Sequence, residues 1–186
     1  MKLTLAVLCL FCSAFAFAQT PSSTTAPTAA APVKDPVSTS LRMMLPRSQK
    51  ETLDAIQAMP ADKFNYKPTP DQITFGHLVA HIAEANYFLC AKVADVSAPK
   101  VEEVKDTDSK DKLLAAAKAS FDFCNEALSK TDDSKLGDTI QLFGPRQFPR
   151  ASAALHLASG WADHYAAAAM YLRLNNILPP SAQPKK

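Results

Sequence analysis

The 186-residue chain carries no marked excess of either charge. Its 20 Lys and Arg stand against 18 Asp and Glu, for a formal net charge of +2. The basic residues are scattered rather than gathered into a stripe, so there is no electrostatic footprint for DNA or RNA, and nucleic acid is excluded as a partner. No apolar run is long enough to span a bilayer: the longest, Leu3 to Ala18, falls short of the roughly 20 residues a spanning helix needs. No nucleophile triad is evident, because Ser159 beside Gly160 lacks the strand-to-helix elbow that would expose a hydrolase serine. Strand-like alternation is missing throughout. Histidine and cysteine are scarce, with four of each, so the position of every one is informative.

The N-terminal run "MKLTLAVLCLFCSAFAFAQT" has Lys2 as a short positive region, then an apolar stretch, then Ala16 and Ala18 in an A-x-A pattern before Gln19. These features predict a secretory signal peptide over 1–18. Leu8 before Cys9 and Phe11 before Cys12 do not suit a lipoprotein signal, which needs small residues there. The mature chain is therefore expected to be exported, periplasmic or extracellular, with no stable membrane anchor. Cys9 and Cys12 leave with the leader, and Cys90 and Cys124 remain. In an oxidising compartment these two are a candidate disulfide stapling two helices, the alternative being two buried free thiols.

"QTPSSTTAPTAAAPVKD", residues 19–35, is low-complexity sequence that cannot bury enough surface to offset its ordering entropy, and is expected to be a disordered linker. The tail 179–186, "PPSAQPKK", is expected to be unstructured. Between them, 36–178 reads as one all-α domain. The first helix, about 36–59, puts Leu41, Leu45, Ile56 and Met59 on one face, with Pro46 as a kink or early break. An extended connection follows, from which Phe64 and Tyr66 pack back. Thr74 caps the second helix, about 75–95, whose apolar stripe is Phe75, Leu78, Ile82, Leu89 and Val93. The third, about 108–130, has Leu114, Ala117, Phe121, Cys124 and Leu128 at an unbroken 3-4-3-4 spacing, with Lys110, Asp111, Lys118, Asp122 and Glu126 on a solvated face. The fourth, about 150–176, is alanine-rich, with Trp161 and Met170 supplying bulk and Asn175 and Asn176 ending it. Four such segments predict a four-helix bundle with at least one connection long enough to cross over.

All four histidines fall on helices, His77 and His81 on the second and His156 and His164 on the fourth. A bundle places metal ligands in this way, from facing helices into one cavity. His77 and His81 are one turn apart and share a face. His156 and His164 are about 12 Å apart along the axis at about 1.5 Å per residue, too far to chelate one ion without help. Gly160, one turn from each, has no side chain. Ordinary packing is the competing reading for these histidines. The same applies to the aromatic group Tyr87, Phe88, Trp161 and Tyr165, which would otherwise wall a pocket for a small apolar or thiol ligand.

"TFGHLVAHIAEANYFLC", "GWADHYAAAAMYLRLNNILPPS" and "MPADKFNYKPTPDQITFG" together resemble the DinB-like family, and in particular its exported members. The resemblance runs from Leu41 to Ser181. It implies an antiparallel four-helix bundle with a long crossover connection, often dimeric. It also implies a divalent metal, commonly zinc or nickel, held by three histidines, one from the second helix and two in an H-x-x-x-H pair in the last. His81 and His164 match two of these positions, and Gly160 stands at the third. Three protein ligands plus water is the usual catalytic zinc arrangement, and two imidazoles bind far less tightly. His77 is the candidate to fill the vacancy. Asp163 points about 100° away from His164 around the helix and is a poor substitute. The expectation is an exported DinB-like protein with a degenerate or weak histidine site and a binding or structural role. The alternative is a metal-dependent transferase or hydrolase using His77, His81 and His164, with Glu84 the nearest candidate base.

Overall fold

Local sequence signals, seen in a computed structural model that describes residues 31–184, set where each helix begins and ends. The expected leader, and the linker up to residue 30, lie outside the described residues. Helix α1 runs Pro36–Ala58, α2 Phe75–Ala94, α3 Lys110–Ser129 and α4 Arg150–Leu174. Pro36 opens α1 at a position where its missing N–H costs nothing. Thr74 caps α2, its hydroxyl accepting from the His77 N–H at 3.0 Å, and Ser109 caps α3 in the same way. At the far end of α4, Asn176 takes a positive φ of 58°, a conformation asparagine tolerates better than most residues.

Helix α1 continues through Pro46, so of the expected kink or early break the break does not occur. Pro46 faces solvent, so the carbonyl left without a donor can bond to water. The opposite face holds the helix in place by burying Leu41, Leu45, Ala55 and Ile56.

The four apolar stripes meet in one core that includes Phe75, Ile82, Leu113, Phe121, Leu157 and Leu172, all buried. Helix α2 packs on α3 and α4, and α1 packs on the same two. The α2 and α3 stripes enter this core as the spacing predicts, with Leu114 alone only half-buried. Met170 does not: it is exposed, and Tyr171 and Leu172 fill the interior in its place.

Side chains from neighbouring elements satisfy three helix ends. Asp133 accepts from the Val37 and Ser38 N–H groups at 2.8 Å each, placing a carboxylate at the positive end of α1. Arg42 donates to the Leu128 carbonyl in the last turn of α3 and to the Thr131 carbonyl just beyond it. Lys110, expected on a solvated face, donates to the Gln57 and Met59 carbonyls at 2.7 and 2.9 Å and so caps the C-terminus of α1. A charged residue in the first turn of a helix satisfies orphan carbonyls of another helix, a role that periodicity cannot reveal.

Two further differences from expectation concern the connections. The α3–α4 segment contains a short antiparallel hairpin, β1 Thr139–Gln141 with β2 Gln147–Pro149, paired Ile140 to Phe148. Gly144 turns it with a φ of 63°, which glycine reaches without strain. Each strand is only three residues long, too short to show as alternation. The segment from Pro179 also departs from its expected disorder. Pro180–Ala182 forms a 3₁₀ turn that packs against α1, and the Ser181 N–H donates to the Tyr165 hydroxyl at 2.8 Å. Among the described residues, no helix is long and apolar enough to cross a membrane.

Candidate functional site

The cap at Thr74 fixes the phase of α2, and that phase buries Leu78 and Ile82 while leaving His77 and His81 on the outer side. On α4, Trp161 and Ala168 point inward, which sets His164 at the boundary, half-buried. The two phases bring His81 and His164 together. Their rings meet edge to face, with centroids 5.1 Å apart and planes at 85°.

His164 is held in its neutral form. Burial and the neighbouring His81 push its pKa down from 6.5 to about 4, and Asp163 opposes this only in part. Its Nδ1 is buried and has no hydrogen-bond partner, which is uncommon for a buried polar atom. A neutral imidazole with an unpaired nitrogen is the form that ligates a metal. Two imidazoles sharing a tetrahedral ion have centroids about 5 Å apart, given metal–nitrogen bonds of about 2 Å.

The third donor is absent. Gly160 is half-buried one turn before His164, and a Cβ built there would lie 3.7 Å from the His164 Cε1. The position adjoins the imidazole and contributes nothing to it. His77 has its Nδ1 4.0 Å from the Asp106 Oδ2, towards the α2–α3 connection. His156 sits edge to face with Phe143 at 5.0 Å. Among the described residues, no three His, Cys, Asp or Glu side chains converge closely enough to hold an ion. The residues present therefore do not fit a three-histidine metal centre.

The interior between α2, α3 and α4 holds a polar cluster that apolar spacing did not single out. Asn86 is fully buried. Its Nδ2 donates to the Ser120 Oγ at 3.1 Å and its Oδ1 accepts from the Trp161 Nε1 at 3.0 Å. The Ser120 hydroxyl donates in turn to the Ala117 carbonyl. The clue available in the sequence was that Asn86 lies four residues after Ile82 and three before Leu89, in phase with the core stripe. One turn on, Cys90 is bonded to Cys124, their Cα atoms 5.3 Å apart, so α2 and α3 are joined covalently beside the polar cluster.

The four aromatic residues considered for a pocket wall separate into two pairs. Trp161 is core, and Tyr165 anchors the C-terminal turn through its hydroxyl. Tyr87 and Phe88 line a groove of about 950 Å³ between α2, α3 and the connection at 95–109, together with His77, His81 and Glu84. Gly76 permits that connection to come close: its N–H donates to the Phe64 carbonyl at 2.8 Å, and a Cβ there would lie within 2.2 Å of the Asp106 carbonyl oxygen.

Comparison with known proteins agrees with this architecture. Residues 44–168 match the family model of the DinB superfamily. A DinB-like protein from Bacillus subtilis shares the fold with a TM-score of 0.61 at 16% identity, covering 78% of this chain and 99% of its own. A second, from Bacillus cereus, has a TM-score of 0.61 at 17% identity, covering 75% and 93%. No curated protein matches the chain. Since the family model spans more than half of the sequence, the chain belongs to the DinB superfamily.

Proposed function

We propose that this is an exported, disulfide-stapled DinB-like protein whose metal site has degenerated to a histidine pair, and whose role is binding or structural. The observation that carries the reading is Gly160. It lies against His164 with space for a side chain and supplies no donor, so His81 and His164 are left as two imidazoles where tight zinc binding takes three or more protein ligands. Export is supported by the leader-like pattern of residues 1–18 and by the pairing of the two cysteines that remain after it.

The reading includes an antiparallel bundle with a long crossover. Asn86 meets Ser120 and Cys90 meets Cys124. The equal sequence offset of these contacts supports parallel neighbours α2 and α3, with residues 95–109 returning along the length of α2 until Asp106 reaches Gly76. A parallel pair requires such a lengthwise connection.

Elemental analysis of the natively purified mature protein tests the site. Well below one transition metal per chain is expected after brief exposure to a weak chelator, and about one tightly held metal per chain overturns the degenerate-site reading. N-terminal sequencing of the exported chain should begin at Gln19; an intact Met1 in protein recovered from the cytoplasm alone overturns export.

A further inference from the structure

We propose that the groove between α2, α3 and the 95–109 connection is a binding site for a small organic cation with an apolar or aromatic body. The proposal rests on the binding role above; of the histidine pair only His81 lines the groove, and neither His164 nor Gly160 does.

The groove exists because its floor is built of alanine. Ala80 and Ala83 from α2 face Ala115, Ala116 and Ala119 from α3, and methyl groups are too short to fill the space beneath the overlying connection. Well-packed interiors leave few voids larger than a water molecule, so about 950 Å³ is ample for a small ligand. Tyr87 and Phe88 supply an aromatic wall, and Val101 at the edge is 52% exposed. Apolar surface is thus left open in a concave place.

Charge selects among apolar ligands. The lining carries Glu84, Glu102, Glu103 and Asp106 against Lys105 and Lys112. Lys112 is already committed to Glu102 at 2.8 Å and Asp108 at 3.2 Å, and Asp106 stands by His77. Glu84 and Glu103 have no ion-pair partner among the described residues. An anion would meet net negative charge here, and a neutral apolar molecule would cover carboxylates without compensating them. A cation on an apolar body satisfies both the floor and the rim, and an aromatic face adds attraction. One wall residue already attracts a cation in this way: the Lys92 ammonium lies 5.6 Å from the centre of the Phe88 ring.

The test is a titration of the mature protein with benzyltrimethylammonium, benzyl alcohol and benzoate, followed by calorimetry and by backbone amide shifts. Saturable binding of the ammonium alone is expected, with shifts centred on Ala83, Tyr87, Val101 and Ala116. The double variant Glu84→Gln/Glu103→Gln should weaken it by about tenfold or more, as the loss of two nearby opposite charges implies. Equal binding of benzyl alcohol, shifts elsewhere, an unaffected double variant, or no saturation at millimolar ammonium each overturns the proposal. None of these outcomes bears on the metal content, which elemental analysis decides separately.

Discussion

His81 on α2 and His164 on α4 meet edge to face with ring centroids 5.1 Å apart, and the glycine one turn before His164 leaves this pair without a third donor. The pairing joins helices that are far apart in sequence and depends on both keeping their phase.

On the proposed degenerate-site reading, Gly160→His should turn a weak site into a strong one. A Cβ at 160 meets only the His164 Cε1 at ordinary contact distance, so the new side chain has room to start. A gain in zinc affinity of about tenfold or more over the native chain is expected on passing from two to three imidazole ligands, measured by competition with a chromophoric chelator. The control Gly160→Ala should raise helix stability by up to about 1 kcal/mol with no change in zinc affinity. Equal affinities in all three proteins would refute the assignment of position 160.

The pH dependence of stability should report the buried imidazole. The pKa of His164 falls from 6.5 to about 4 on folding, so between these values the unfolded chain binds more protons than the folded one. Stability then rises with pH across the window and is lost as pH drops from about 6.5 towards 4, by about 1 to 2 kcal/mol after allowing for solvent screening. Urea denaturation at pH 7 and pH 4.5 should show a smaller difference between the two pH values in His164→Phe than in the native chain. The same difference in both proteins would contradict the assignment.

Gly76→Ala should be one of the most damaging single-methyl additions in the molecule. The new Cβ would meet the Asp106 carbonyl oxygen at 2.2 Å, and both partners are backbone, so the connection must move as a unit. A loss of about 1 to 3 kcal/mol is expected, together with accelerated amide exchange over residues 101–106. A melting temperature within one or two degrees of the native value (about 0.5 kcal/mol for a domain of this size) would show that the connection yields freely.

Reduction should weaken the fold without changing its secondary structure. The bridge closes a loop with a sequence separation of 34, for which the chain-entropy argument gives about 3 to 4 kcal/mol. Denaturation of the Cys90→Ala/Cys124→Ala variant should show that loss with unchanged helical circular dichroism. A difference below about 1 kcal/mol would mean that the reduced, unfolded chain is already compact.

The helices were readable because burial has the helical period: Phe75, Leu78, Ile82, Leu89 and Val93 form a stripe in the sequence and a wall in the core. Family resemblance is what singles out His81 and His164, since spacing within one helix says nothing about which residue faces it from another. Other features escaped for related reasons. Asn86 is polar and so stands outside any apolar stripe, although its phase is that of a core residue and its partners Trp161 and Ser120 lie on two other helices. Lys110 looked like surface charge because its acceptors, the Gln57 and Met59 carbonyls, are more than fifty residues away. Met170 and Tyr171 are adjacent, and composition alone could not say which of them turns inward. The groove beneath 95–109 depends on small residues leaving space, and an unfilled volume has no signature in hydropathy.

The bond between Cys90 and Cys124 also governs how the molecule behaves under tension. Pulled from its two ends, the oxidised chain can release α1 and α4, but everything between the two cysteines stays shielded from the load. About 120 Å of contour, 34 residues at up to about 3.6 Å each, is then available only after reduction. The protein thus carries a fixed limit on its extensibility, set by the oxidation state of one bond rather than by the strength of its packing.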